Sequence, residues 1–233
     1  MLPIYESLYL PSAESADSLL IFLHGYNNTR AEMLPAYEYL HRKMKHLSVL
    51  APEGGLCSSR NPERKRWYKI QNFDIDGMRK QETTPVEQIA KLYNQAGAAL
   101  KETAENLNLF IDEAQKQYGF NDNNTYIAGF SQGAMLAIWT ALMRKNKLAG
   151  CFSFSGLAAA DKELDKQIIS RPDVYLLHGK QDKQVLFKCL DFTAGWLKSE
   201  QIPVTTESFD NLGHEVAEPE LDFMSDIIAT KSA

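Results

Sequence analysis

The residues Gly129-Phe130-Ser131-Gln132-Gly133 stand directly after the apolar run Tyr126-Ile127-Ala128 and directly before an Ala-, Met- and Leu-rich helical pattern. A serine on a sharp turn between strand and helix presents its hydroxyl as a nucleophile. Such a turn strains the serine backbone, and side chains two positions before and after it would collide, so both places hold Gly. A hydroxyl is a weak nucleophile at neutral pH. It needs a base within hydrogen-bond reach, and that base needs a carboxylate to orient it. On a strand–turn–helix scaffold the partners follow in the order Ser, then Asp or Glu, then His.

Five histidines compete for the role of base. His41 and His46 precede the serine and sit among Arg42, Lys43 and Lys45, on a polar helix end. His24 and His178 each close an apolar strand in a His-Gly pair, where a structural ring is expected. His214 follows every candidate acid and lies in the turn-rich stretch Asn211-Leu212-Gly213-His214-Glu215, so it is the expected base. Asp182 is the expected acid, because it lies just past the carboxyl end of an apolar strand, where crevice residues of an open parallel sheet gather. Asp173 is at the wrong end of that strand, Asp191 falls inside a helical pattern, and Asp210 is too near His214 in sequence. Acyl transfer also needs donors for the developing oxyanion. The backbone N–H groups of Gln132 and of Tyr26, in His24-Gly25-Tyr26-Asn27-Asn28, are the expected pair.

Positioning these residues takes a sheet with helices. Short apolar runs at 5–10, 19–23, 47–51, 125–129, 149–154, 174–178 and 204–209 alternate with helical patterns at 31–44, 85–118, 132–144, 187–199 and 219–230. This alternation predicts an α/β fold: one domain over 1–233 with a mostly parallel sheet of about seven strands and helices on both faces. A single helix over 85–118 would run about 51 Å, so a break near Gly97 is expected. Thr84, Pro85 and Glu87 spell a capping box at its start. Leu100, Ala104, Leu107, Ile111 and Ala114 recur at helical spacing and mark its core face.

Composition bounds the remainder. With 44% hydrophobic and 24% charged residues, 13 Gly and 9 Pro in 233 residues, the chain is neither disordered, collagen-like nor a coiled coil. No apolar run reaches the length of a membrane span. The N-terminus carries Glu6 and no cationic lead into an apolar core, so it does not read as a signal peptide, and the cytoplasm is the expected location. Cys57, Cys151 and Cys189 have neither the number nor the spacing of a disulfide framework or a zinc site, and no metal or organic cofactor is called for. A net charge of −5 disfavours nucleic acid as a partner. Arg60, Arg64, Lys65, Arg66 and Lys69 nonetheless cluster within ten residues, as a solvated basic loop or as an anchor for an acidic head group or carboxylate. The sequence leaves the oligomeric state open.

The segments Phe22-Leu23-His24-Gly25, Trp67-Tyr68, Gly129-Phe130-Ser131-Gln132-Gly133-Ala134, His178-Gly179 with Asp182, and Gly213-His214-Glu215 resemble the α/β-hydrolase superfamily. The likeness is narrower to the phospholipase/carboxylesterase family, which includes acyl-protein thioesterases and lysophospholipases. That resemblance implies a Ser131, Asp182 and His214 triad, with Tyr26 and Gln132 supplying the oxyanion hole. Trp67, Tyr68, Arg64 and Arg66 are the candidate substrate-binding residues. Two departures stand out. Tyr26, Asn27 and Asn28 replace the family's usual small or aliphatic residue, Gly and Asp, although Asn tolerates left-handed backbone geometry. The stretch from Trp67 to Ala98 is longer than the family norm, so 58–97 is a candidate partial lid. The linker between the runs at 149–154 and 174–178 has no room for a large cap, which predicts an open site for small or short-chain esters or thioesters. A lysophospholipase or serine peptidase on the same scaffold, or a non-catalytic binding protein, are the alternatives.

Overall fold

The computed structural model describes residues 5–69 and 77–232. Its strands are β1 (Ser7–Leu10), β2 (Ser18–Leu23), β3 (Leu47–Pro52), β4 (Leu56–Cys57), β5 (Lys65–Arg66), β6 (Thr125–Phe130), β7 (Gly150–Phe154), β8 (Val174–Gly179) and β9 (Val204–Phe209). The helices are α1 (Leu34–Lys43), α2 (Val86–Tyr93), α3 (Gly97–Tyr118), α4 (Gln132–Met143), α5 (Asp161–Leu164), α6 (Lys188–Ser199) and α7 (Glu218–Ser232). Seven strands form one sheet in the order β1-β3-β2-β6-β7-β8-β9, parallel throughout except at the antiparallel β1–β3 edge. These are the seven apolar runs of the sequence.

Period-two alternation sends Leu19, Ile21 and Leu23 of β2 to the face packed with Leu107, Ile111 and Leu136, from α3 and α4. Leu20 and Phe22 go to the other face, against Tyr37 and Leu40 of α1 and Met224 and Ile228 of α7. The five positions expected on the core face of α3 are all fully buried. The break in the long helical pattern is a 3-10 turn over Asn94–Ala96, after which α3 begins at Gly97. Between β7 and β8 lie only α5 and a 3-10 turn.

The capping box at the start of α2 does not form. Pro85 itself occupies the N-cap position with extended ψ of 140°, and no side chain caps the helix. Thr84 is instead buried, and its carbonyl accepts from Lys188 Nζ at 2.6 Å, which ties the segment to α6. A second small sheet, β4 paired antiparallel with β5, was not expected, since two residues carry no readable alternation. Within the candidate lid at 58–97, residues 70–76 lie outside the described residues. On either side of them are β5 and α2, whose Ile89 and Tyr93 join the core cluster. Among the described residues no helix is long and apolar enough to cross a membrane.

Candidate active site

The sheet order reverses at β2 and β6: from β2 the chain goes outward to β3, then returns to place β6 on β2's other side. Loops at the carboxyl ends of two such strands diverge and leave a crevice. The register Leu23↔Gly129 puts the loop after β2 alongside the turn after β6. Ser131 occupies that turn with φ 54° and ψ −112°, a strained conformation for a residue with a side chain. A Cβ on Gly129 would lie 2.3 Å from the Gly133 carbonyl carbon and oxygen. One on Gly133 would lie 2.5 Å from the carbonyl oxygens of Leu23 and His24. The first glycine thus clears the second, as the crowding of the two positions predicts, and the second in addition clears the end of β2.

β8 and β9 run side by side, with Gly179 opposite Phe209, so the loops after them meet. A Cβ on Gly179 would stand 2.3 Å from the Leu212 carbonyl oxygen, so the glycine lets the loop carrying His214 cross the end of β8. His214 Nδ1 lies 2.7 Å from Asp182 Oδ2, and His214 Nε2 lies 3.0 Å from Ser131 Oγ. The ring packs on Phe130 with centroids 4.7 Å apart. Asp182 is 2% exposed, and its Oδ1 accepts the N–H groups of Gln184 and Val185 at 2.7 and 3.0 Å. Burial alone would raise the Asp182 pKa, but hydrogen bonds from His178 and His214, the His214 charge and the Gln184 N–H together hold it well below the usual carboxylate range. Asp182 is therefore an anion that fixes Nδ1 as the protonated nitrogen and leaves the Nε2 lone pair facing Ser131.

The other histidines are structural or peripheral. His24 is fully buried, its Nε2 accepts from the Gly54 N–H at 2.9 Å, and its Nδ1–H donates to the Gly25 carbonyl at 2.8 Å. His178 Nε2–H donates to the Val185 carbonyl at 2.8 Å and helps shape the Asp182 turn. His41 and His46 lie at the surface against the carbonyls of Pro11 and Ser15. Asp173 pairs with Lys231 and Asp210 with Lys180, away from this cluster.

The loop after β2 is braced by the β4–β5 ribbon. Asn27 takes the left-handed conformation, φ 56°. Its N–H donates to the Lys65 carbonyl at 2.9 Å, and the Lys65 N–H returns to the Asn28 carbonyl at 3.0 Å. The Ser58 hydroxyl donates to Asn27 Oδ1 at 2.7 Å. Among the described residues, neither the Tyr26 nor the Gln132 backbone N–H donates to a protein acceptor, and both residues line one cavity with Ser131 and His214.

That cavity, about 470 Å³, has walls from Tyr26, Asn27, Ser59, Arg60, Arg66, Tyr68, Arg79, Tyr93, Met135, Gln184 and Val185. Of the candidate substrate residues, Tyr68 and Arg66 reach it, whereas Trp67 and Arg64 do not. Trp67 is buried and structural: its indole N–H donates to the His24 carbonyl at 2.7 Å. Arg64 donates to the Asn27 carbonyl at 3.1 Å and pairs with Glu32, so it holds the loop. No sequence signal marks the role of the Gln132 side chain: its amide accepts the Trp67 N–H at 3.0 Å and donates to the Tyr68 carbonyl at 3.1 Å, locking a wall of the cavity to the start of α4. Glu220, in the first turn of α7, was also unforeseen. It is fully buried, Oε2 accepts the Ala217 N–H at 3.1 Å, and among the described residues Oε1 has no partner. Burial, with the charges of Glu215 and Asp182, outweighs the Ala217 N–H and pushes this carboxyl up to about 8.

Comparison with known proteins places the chain in a family. The sequence profile described as Phospholipase/Carboxylesterase matches residues 10–232. An acyl-protein thioesterase 1 of Neurospora crassa is 24% identical over 237 residues, covering 96% of this chain and 91% of that protein. A probable carboxylesterase, SOBER1-like, of Arabidopsis thaliana is 23% identical over 217 residues, covering 90% and 77%. Among solved structures, esterase PE8 superposes with a TM-score of 0.82 at 23% identity, over 97% of this chain and 98% of that one. The Bacillus cereus carboxylesterase gives 0.73 at 20% identity, over 98% and 95%. With a profile that spans nearly the whole chain, from β1 to α7, this protein belongs to the phospholipase/carboxylesterase family and is a hydrolase with the α/β-hydrolase fold.

Proposed function

We propose that the protein hydrolyses small or short-chain carboxylic esters and thioesters through an acyl-enzyme on Ser131. The observation that carries this reading is the relay of 3.0 and 2.7 Å from Ser131 Oγ through His214 to Asp182. His214 Nε2 takes the Oγ proton as the oxygen attacks the carbonyl carbon, and the resulting imidazolium is stabilised by Asp182. The tetrahedral oxyanion accepts from the Tyr26 and Gln132 N–H groups, the latter at the positive end of α4. Collapse breaks the bond to the leaving alcohol or thiol, which takes the proton from His214. Water then attacks the acyl-enzyme with the same histidine as base and frees the acid and Ser131.

The relatives named thioesterase and carboxylesterase support both leaving-group classes. The cavity volume suits a small molecule. We read the described parts of this segment, residues 58–69 and 77–97, as a partial lid, because Tyr68 and Tyr93 line the cavity from them. A cytoplasmic setting is supported by three free thiols, one of them exposed. Ser131→Ala should abolish labelling by a fluorophosphonate probe and lower ester turnover by several orders of magnitude; unchanged turnover sinks the assignment. In a nitrophenyl ester series, activity should fall beyond short acyl chains, and a steady rise toward long chains rejects the small-substrate reading.

A further inference from the structure

We propose that Arg60 and Arg66 form an anion subsite in the cavity that holds Ser131, so that the preferred ester carries a carboxylate or phosphate group besides its scissile bond. This rests on the reading of Ser131 as the hydrolytic centre and adds the substrate class.

The cavity wall is charged in one sense. Arg60, Arg66 and Arg79 line it, and none of the described residues that line it is Asp or Glu, although the chain as a whole carries a net charge of −5. Three guanidinium groups elsewhere meet carboxylates: Arg30 meets Glu53 and Glu6, Arg64 meets Glu32, and Arg144 meets Asp112 and Asp122. Arg66 has none. Among the described residues its guanidinium makes no hydrogen bond or ion pair, and its Nε is sealed from solvent without an acceptor. Buried donors in native proteins are nearly always satisfied, so a guanidinium left open beside the cavity calls for a partner, which a ligand can supply at the N–H groups that line the cavity. Arg66 also sits on β5, paired to β4, so its backbone is fixed before any ligand arrives.

Arg60 stands over the Tyr26 ring, 5.6 Å from its centroid. The Tyr26 phenol reports the local field. Burial would raise its pKa, yet the Ser59 and Ser58 hydroxyls and the charges of Arg60 and Arg66 bring it below the ordinary value. Both guanidinium groups therefore act on one place, beside the residue whose N–H faces the oxyanion. Arg79 adds charge to the same wall while donating to the Gln184 carbonyl at 2.6 Å. Tyr68, Tyr93, Met135 and Val185 provide the apolar strip on which a short chain can lie. The planar fork of arginine matches a carboxylate or phosphate through paired N–H donors.

The test is steady-state kinetics on nitrophenyl esters of matched length, ending in a methyl, a carboxylate or a phosphonate. The wild type should favour one charged ester over the methyl ester in kcat/KM by about tenfold, and Arg66→Gln should remove most of that ratio, chiefly through KM. Arg60→Gln, on an exposed loop, should reduce it several-fold and serves if Arg66→Gln does not fold. Lys69→Gln removes the same charge from an exposed position outside the cavity and should leave the ratio within about twofold. Which charged ester wins distinguishes a carboxylate from a phosphate substrate. A wild-type ratio near one, or an equal loss in Lys69→Gln, overturns the proposal. Failure of the Ser131 reading looks different: the wild type would neither label with fluorophosphonate nor turn over the methyl ester. In that event, titration with glutarate and inorganic phosphate decides, since binding weakened by Arg66→Gln upholds the anion site and no binding rejects it.

Discussion

Replacing Glu220 by Gln should flatten the pH dependence of stability between pH 5 and 8. The carboxyl is raised from 4.5 to about 8 in the folded protein, by burial first and then by Glu215 and Asp182. A carboxyl raised on folding binds its proton more tightly in the native state than in the unfolded chain. Its contribution is thus fully present below about pH 4.5 and is lost as pH climbs toward 8. Integrated from pH 5 to 8, the loss is about 3 kcal/mol, a large share of the 5–15 kcal/mol that holds a typical domain together. Gln keeps an oxygen for the Ala217 N–H and never ionises. At about 2–4 °C per kcal/mol for a chain of this size, the variant should gain about 6–12 °C in Tm on the wild type between pH 5 and pH 8. Thermal melts of both proteins across that range read the difference directly. A gap between the two Tm curves that stays constant with pH refutes the reasoning, because Glu220 would then not be titrating in this window.

Two further substitutions separate positioning from chemistry. Gln132→Ala leaves the Trp67 N–H and the Tyr68 carbonyl without partners, so stability should fall by about 2–4 kcal/mol while fluorophosphonate labelling persists, because the backbone N–H of residue 132 remains. Loss of labelling in a folded Gln132→Ala protein contradicts that division of roles. Asp182→Asn exchanges the acceptor of the His214 Nδ1–H for an amide that can hold the wrong tautomer, and kcat should drop by about 10³–10⁴. A near-normal kcat shows that something other than Asp182 orients His214.

The parts of this site that could be read from the chain are those in which one residue type does work at one backbone place. Ser131 between two glycines, Asp182 past β8 and His214 past β9 stand at the ends of apolar strands, and period-two patterning locates such ends. What could not be read depends on tertiary partners. The β4–β5 ribbon is two residues wide, too short for any periodicity, yet it braces the loop of Tyr26 and Asn27 through Lys65. Arg64 and Arg66 are two residues apart on the same basic loop, and only the fold shows that one meets Glu32 while the other faces the cavity. Trp67 reads as a binding aromatic until its indole is seen on the His24 carbonyl. Thr84 has the residue type of a cap, but the extended Pro85 moves the helix start past it. Glu220 stands in an acidic helix start with no sequence mark of burial, and it is fully buried.

Mass spectrometry of the trapped intermediate tests the central claim most directly. Protein quenched in acid during turnover of a short-chain nitrophenyl ester should gain the mass of one acyl group. Proteolysis should place that mass on Ser131, and Ser131→Ala should show neither adduct nor turnover. An acyl group on another residue, or full turnover by Ser131→Ala, contradicts the account.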